Sequence, residues 1–332
     1  MLELKNLSVS SSPHIRASQS TASIMRDVCI ALLPALIASV YFFGFRALTV
    51  VLVSVAACVF FEWGYRKLMK LDCTIGDGSA VVTGILLAFV CPVTMPYWAI
   101  IVGDFIAIIV TKQLFGGIGK NFMNPALVGR AFLFSWAVLM TTWVKSGTYV
   151  AVFSNFTDVS VLDGMTAATP LAAMKTGALP ETTVLNSFVG NIGGCIGETS
   201  ALLLLLGGAY LVVRRVITPR IPLCFIATVA VLTFLFPQGN DRLTWMAYQV
   251  FSGGLMLGAI FMATDYVTSP VTRWGQVIFG IGCGALTVLI RYFGSYPEGV
   301  SYAILIMNAC VGLLDKVGLP RRFGVEKKGG AA

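Results

Sequence analysis

The chain has 332 residues, of which 57% are apolar, only 11% are charged, and the net charge is +8; its mean hydropathy is +0.85. A soluble domain carries roughly 25% charged residues, so this composition excludes a soluble fold and points to an integral membrane protein. The basic residues lie between apolar runs, where they mark topology rather than a nucleic-acid partner.

Long apolar runs such as 201–213 and 221–236 read as helices, because barrel strands would show short alternating segments. Residues 1–27 contain His14, Arg16, Arg26 and Asp27 without an apolar core or cleavage pattern; no signal peptide is expected, and this is a cytoplasmic segment. A first set of five spans is predicted at 28–45, 47–65, 78–95, 97–115 and 125–142. A polar loop, 143–190, separates it from a second set at 191–213, 221–236, 247–264, 274–291 and 300–315, followed by a tail, 316–332. The predicted fold is all-α and polytopic, with about ten transmembrane helices.

With the N-terminus inside, eighteen of the 23 Lys and Arg residues face the cytoplasm; Arg46, Lys145, Lys175, Arg242 and Arg291 face outward. The imbalance predicts cytoplasmic termini and an extracytoplasmic 143–190 loop. The two halves also resemble each other. Gly84–Pro96 and Gly258–Pro270 share Gly, Val, Thr and Pro in register, and Met123-Asn124 before Val128-Gly129 matches Met307-Asn308 before Val311-Gly312. Five helices per half would make these inverted repeats.

Ionisable residues within spans are costly, which makes Glu62, Asp104, Glu198 and Asp265 candidates for an ion path. Asn124-Pro125 and Asp265 with Pro270 interrupt the two halves at corresponding places, as at a central site or as helix caps. Gly116-Gly117-Ile118-Gly119-Lys120-Asn121 lacks phosphate-loop spacing and reads as a tight cytoplasmic turn. Trp98, Trp136, Trp143, Trp245 and Trp274 suit interfacial anchoring. The eight cysteines form no CxxC pair and His14 is the sole histidine, so no metal-ligand set is expected within the chain.

The long loop contains Asp163-Gly-Met-Thr166-Ala-Ala168-Thr169-Pro170-Leu-Ala-Ala-Met-Lys175. Thr169 before Pro170 reads as an N-cap with proline at the first helical position. It offers a hydroxyl beside unpaired backbone N–H groups, suited to a phosphate, although an ordinary capped loop helix has the same pattern.

Asp163-x-x-Thr166-x-Ala168-Thr169 resembles the flavinylation motif of the Rnf (Rsx) electron-transport complexes and the related sodium-pumping NADH:quinone oxidoreductase. The likeness continues through Ser12–Arg16, Ile24–Asp27, Gly116–Asn121 with Asn124-Pro125-Ala126, Gly193–Ala201 and Phe261–Asp265. These segments are similar to the family of RnfD and NqrB proteins, and the short lead into the first helix resembles the Rnf branch. Ala167 stands where glycine is frequent in that motif.

The resemblance implies covalent FMN, joined by a phosphoester to Thr169 by a flavin transferase, with Asp163, Thr166 and Ala168 as recognition residues and Pro170 fixing the helix start. It further implies a bacterial or archaeal cytoplasmic-membrane flavoprotein that relays electrons in a ferredoxin:NAD oxidoreductase translocating Na⁺ or H⁺. The A, B, C, E and G components of the Rnf complex as partners, a urea-transporter-like architecture and a noncovalent riboflavin are expectations of the same kind. The rival expectation is a urea-transporter-like channel or small-solute transporter without a redox cofactor.

Overall fold

The computed structural model describes residues 19–152, 169–180, 182–239, 241–294 and 298–317. Among these residues the regular elements are helices, with no β-strand. Helix α1 (Thr21–Phe43) starts at a capping box in which Ser20 and Ser23 satisfy each other's backbone N–H groups. It ends at Gly44, whose φ of 80° closes the turn into α2 (Phe45–Leu68) through this single residue. A side chain at Gly44 would be strained by that backbone and would meet Tyr149 at 2.8 Å.

Helix α3 (Ser79–Phe89) stops short of the proline-containing turn at 90–96. Helix α4 (Tyr97–Phe105) continues directly into a π-helical stretch, Ile106–Gln113. After the glycine turn, α5 (Pro125–Leu133) begins at Asn124, whose Oδ1 accepts from the N–H groups of Ala126 at 3.0 Å and Leu127 at 3.3 Å. Positive φ angles at Gly116, Gly117 and Gly119 make residues 116–119 the tight turn that the spacing predicts.

A 3-10 turn, Phe134–Trp136, and a single helical turn, Ala137–Met140, extend α5; two short helices come after them, α6 (Pro170–Lys175) and α7 (Val184–Val189). The second half then contains α8 (Ala201–Val213), α9 (Arg220–Leu235), α10 (Arg242–Phe251) and α11 (Leu255–Leu257), which widens into π-helical Gly258–Met262. Helices α12 (Arg273–Phe293) and α13 (Val300–Leu314) complete the order.

Each predicted span contains a helix, but the lengths differ from the expectation. Helices α1, α2 and α12 are each long and apolar enough to cross a membrane; α10 and the helical stretch Leu255–Met262 reach that length only as a pair, bent by 60° at the break between them. Helices α3, α5, α8, α9 and α13 are shorter apolar segments. The sixth predicted span is corrected at its start: residues 191–200 run through turns around Gly193 and Gly194, and helix begins only at Ala201. Tyr41, Phe45, Val213, Val271 and Phe293 are each at least 71% exposed, an outer surface suited to lipid rather than water. The protein is a multi-pass membrane protein.

Small residues let the backbones approach. A Cβ at Gly84 of α3 would meet Val55 Cα of α2 at 2.8 Å, and one at Gly284 of α12 would meet Thr228 Cβ of α9 at 2.6 Å. Broken helices leave carbonyls unpaired, and two arginines satisfy them. Arg46 donates to Val93 O at 3.0 Å and Met95 O at 3.3 Å, in the turn after α3. Arg291 donates to Gln249 O at 2.5 Å and Ser252 O at 3.3 Å, at the break between α10 and α11. Both are buried, so the charge count treated as surface markers two residues that serve the interior.

Candidate functional site

Thr169 is the N-cap of α6. Its backbone is extended, its Oγ accepts from the Ala172 N–H at 3.2 Å, and Pro170 fills the first helical position. The predicted cap is therefore observed. Only 5% of Thr169 is exposed, and further along α6 Met174 packs with Trp245, Tyr248 and Val184. Asp163, Thr166 and Ala168 lie outside the described residues. Beside Thr169 is a cavity of about 10 Å³ whose walls include Gly193, Gly194, Glu198, Gly253 and Glu298. That volume admits one water at most.

Below this cavity, Arg130 of α5 draws together groups distant in sequence. Its guanidinium donates to Glu198 at 3.1 Å and to Ser301 at 2.8 Å, and it also pairs with Glu298. Cys195, Glu198 and Glu298 present ligand-type atoms within 4.8 Å of one another, but the guanidinium already supplies positive charge among them. Arg130 is 2% exposed, which removes it from the cytoplasmic surface charges. Neither Arg130 nor Glu298 was identifiable as a site residue from the sequence. The available signal was an arginine inside the apolar run 125–142.

A second, larger cavity of about 390 Å³ has Met25, Ser79, Lys112, Asn124, Phe261 and Asp265 in its wall. Here the two halves meet. Asn124 donates from Nδ2 to Met262 O at 3.3 Å; Asn308, with its amide oriented to satisfy its neighbours, donates to Thr268 O at 3.0 Å and accepts from Asn124 N at 3.2 Å. The repeated Met-Asn pairs thus bring their asparagines into contact. Asp265 accepts from Thr268 Oγ at 3.1 Å and acts as a local cap.

The four candidate ion-path acids do not form one line. Glu62 and Lys112 make a buried ion pair at 2.7 Å, with Lys112 also donating to Ser79 at 2.7 Å. Asp104 is fully buried, with its Oδ1 2.7 Å from Ser54 Oγ and 3.2 Å from Cys58 Sγ. Glu198 belongs to the Arg130 cluster and Asp265 to the large cavity. Glu198 precedes α8 rather than lying in the outer half of a helix, since that helix starts at Ala201.

A family model described as the NQR2, RnfD, RnfE family matches residues 8–324. The chain is 48% identical over 326 residues to the D component of the Na⁺-translocating ferredoxin:NAD⁺ oxidoreductase complex of Acetobacterium woodii, covering 97% of this chain and 96% of that protein. It is 42% identical over 339 residues to the D component of the proton-translocating ferredoxin:NAD⁺ oxidoreductase complex of Clostridium ljungdahlii, covering 97% and 98%. Similarity to the D component of the ion-translocating oxidoreductase complex of Stutzerimonas stutzeri is 38% over 332 residues, covering 93% and 94%. The chain belongs to the NQR2, RnfD, RnfE family.

Proposed function

We propose that this chain is the membrane redox subunit of an Rnf-type ferredoxin:NAD oxidoreductase, carrying FMN on Thr169 and relaying electrons between partner subunits during ion translocation. The observation that carries the reading is the Thr169 cap within a chain related along nearly its whole length to the D components of such complexes. The chain is one subunit of the enzyme, with NAD and ferredoxin chemistry assigned to its partners.

The Thr169 residue fits an ester anchor. Its Oγ accepts from Ala172 N–H, while no acceptor for its hydroxyl hydrogen is present among the described residues. Pro170 fixes the cap, and Gly193, Gly194 and Gly253 contribute no side chains to their parts of the adjacent wall. The 10 Å³ cavity accommodates no flavin ring, so the isoalloxazine must lie beyond it. When bound, FMN supplies one-electron chemistry; the protein holds the phosphoester end and fixes its distance from partner centres. Asp163, Thr166 and Ala168 are assigned to recognition by the flavin transferase.

The large cavity suits a noncovalent riboflavin. Its 390 Å³ lies in the range of small-ligand sites, with apolar walls and polar groups at Asn124, Lys112 and Asp265. Ten spans in two inverted five-helix repeats, of urea-transporter-like type, are proposed from the recurring element order and the Asn124–Asn308 contact. Cytoplasmic termini, an extracytoplasmic Thr169 and the A, B, C, E and G components as partners complete the proposal. The relatives' names include both Na⁺ and proton translocation, and the coupling ion is left open between them.

In-gel flavin fluorescence of the denatured subunit, co-expressed with its transferase, tests the anchor. A fluorescent wild-type band that is lost in Thr169→Val supports it. A dark wild-type band beside an active transferase overturns it and turns the 390 Å³ cavity into a candidate solute site.

A further inference from the structure

The Asp104 carboxyl is buried in the first half without a cationic contact among the described residues. Its Oδ1 is 2.7 Å from Ser54 Oγ and 3.2 Å from Cys58 Sγ, whereas its Oδ2 is enclosed and has no hydrogen-bond partner. Ser54 Oγ is also 2.9 Å from Gly84 O. That approach exists because Gly84 lacks a side chain: a Cβ there would strike the α2 backbone at Val55.

Hydrogen counting points to a protonated carboxyl. A serine hydroxyl has one hydrogen, yet Ser54 Oγ lies within bonding distance of two acceptors, Asp104 Oδ1 and Gly84 O. With an ionised Asp104, the single Ser54 hydrogen must be shared between the two acceptors in a weaker three-centre bond. A proton on Oδ1 resolves the conflict, since Asp104 then donates to Ser54, Ser54 donates to Gly84 O, and the Cys58 thiol still donates to Oδ1. It also leaves the unpartnered Oδ2 as a neutral carbonyl rather than a shared negative charge, which burial penalises far more.

The surroundings offer an exchange partner. Ser54, Cys58 and Glu62 are spaced four apart on α2 and share a helix face. Opposite them, Asp104 closes α4 and Lys112 lies on the π-helical stretch that follows. Between the two polar groups, Cys58, Ala80 and Ile108 form a small apolar cluster. Other charged groups on the packed elements are Arg66 of α2, which donates to Asp72 O, and Arg130 of α5, which is occupied by Glu198 and Glu298; α3 contributes the Ser79 hydroxyl, held by Lys112 and Asp77. A π-helical register is a common site of local rearrangement, and this one starts two residues after Asp104.

We propose that Asp104 is a proton-binding site, protonated in this conformation, that exchanges its proton with Glu62 across the Cys58–Ala80–Ile108 cluster. In the transfer, the Asp104 O–H bond breaks and a Glu62 O–H bond forms. The Lys112 ammonium, paired with Glu62 at 2.7 Å, remains in place, so the net charge of the three groups is unchanged by the transfer. The role in ion transport rests on the translocating-complex reading above; the protonation of Asp104 does not.

Infrared difference spectroscopy of the assembled complex at neutral pH tests the proton directly. Asp104→Asn preserves the hydrogen-bond pattern, because its amide donates to Ser54 as the acid does. The expected result is a protonated-carboxyl C=O band, shifted in D₂O, present in wild type and in Glu198→Gln but missing from Asp104→Asn. Identical wild-type and Asp104→Asn spectra in that region overturn the assignment by showing Asp104 ionised. Added Na⁺ that removes the band at constant pH also overturns it, in favour of a Na⁺ site.

For the transfer step, vesicles bearing Asp104→Asn are expected to keep NAD reduction by ferredoxin and lose coupled ion uptake. Uptake at the wild-type level overturns the step. Wild-type vesicles that reduce NAD without any ion uptake would instead refute the translocating-complex reading, so the two failures are distinct.

Discussion

Replacing Arg130 with leucine removes the cation that is ion-paired directly with both Glu198 and Glu298. The side chains of Arg130 and Glu198 are 3% and 2% exposed, and that of Glu298 is 10% exposed. Water therefore cannot take over from the guanidinium. Breaking a buried pair by deleting one partner costs about 3–5 kcal/mol, and here two carboxylates are left within 4.8 Å of each other. Protonation of one carboxylate offsets part of this cost, which places the expected loss near the lower end. Glu198→Gln, added to Arg130→Leu, removes one of the stranded charges and is expected to recover part of it. The assay is already in the chain: Cys58, Cys91, Cys195 and Cys283 are buried free thiols, so a thiol-reactive fluorophore reports unfolding of the purified complex during a thermal ramp. Arg130→Leu is expected to lower the midpoint, and the double variant to lie between it and wild type. A single variant with the wild-type midpoint refutes the claim that Arg130 is needed to neutralise this cluster.

Gly84→Ala puts a methyl group against the α2 backbone and is expected to destabilise by about 1–3 kcal/mol, as overpacking does; the same thermal ramp measures it. Asn124→Ala removes both the α5 cap and a wall group of the 390 Å³ cavity; flavin extracted without ester cleavage is expected to fall while the Thr169-linked flavin persists. Outside the spans, a hydrogen bond from the Thr244 hydroxyl holds the Asp241 carboxyl below its ordinary range. Its cap on α10 is therefore in place above the unfolded-state pKa and lost as pH falls through the folded one. Amide exchange at Leu243, corrected for intrinsic rate, is expected to lose protection on acidification, and Asp241→Ala to lack that protection at every pH.

Features that depend on neighbours in sequence were legible in advance. The Thr169-Pro170 cap, the Asn124-Pro125 helix start and the Gly116–Gly119 turn each follow from residue chemistry within a few positions. The Met-Asn repeats were visible as a pattern; their meeting at the boundary between the halves was not. Arg130, Glu198 and Glu298 come from three separated segments, so periodicity and motif spacing could not join them. Span lengths were overestimated where glycines replace a helical turn with loop, as at Gly193 and Gly194. Arg46 and Arg291 were counted as surface charges because charge counting does not see carbonyls exposed by helix breaks. The π-helical stretches after Asp104 and before Asp265 carry no residue pattern that distinguishes them from α-helix.

The most direct test of the central claim is peptide mapping by mass spectrometry of this protein isolated from the native complex. The account predicts an FMN phosphoester on the peptide bearing Thr169, located to that hydroxyl and missing in Thr169→Val. An unmodified Thr169 in a complex that transfers electrons from ferredoxin to NAD contradicts it.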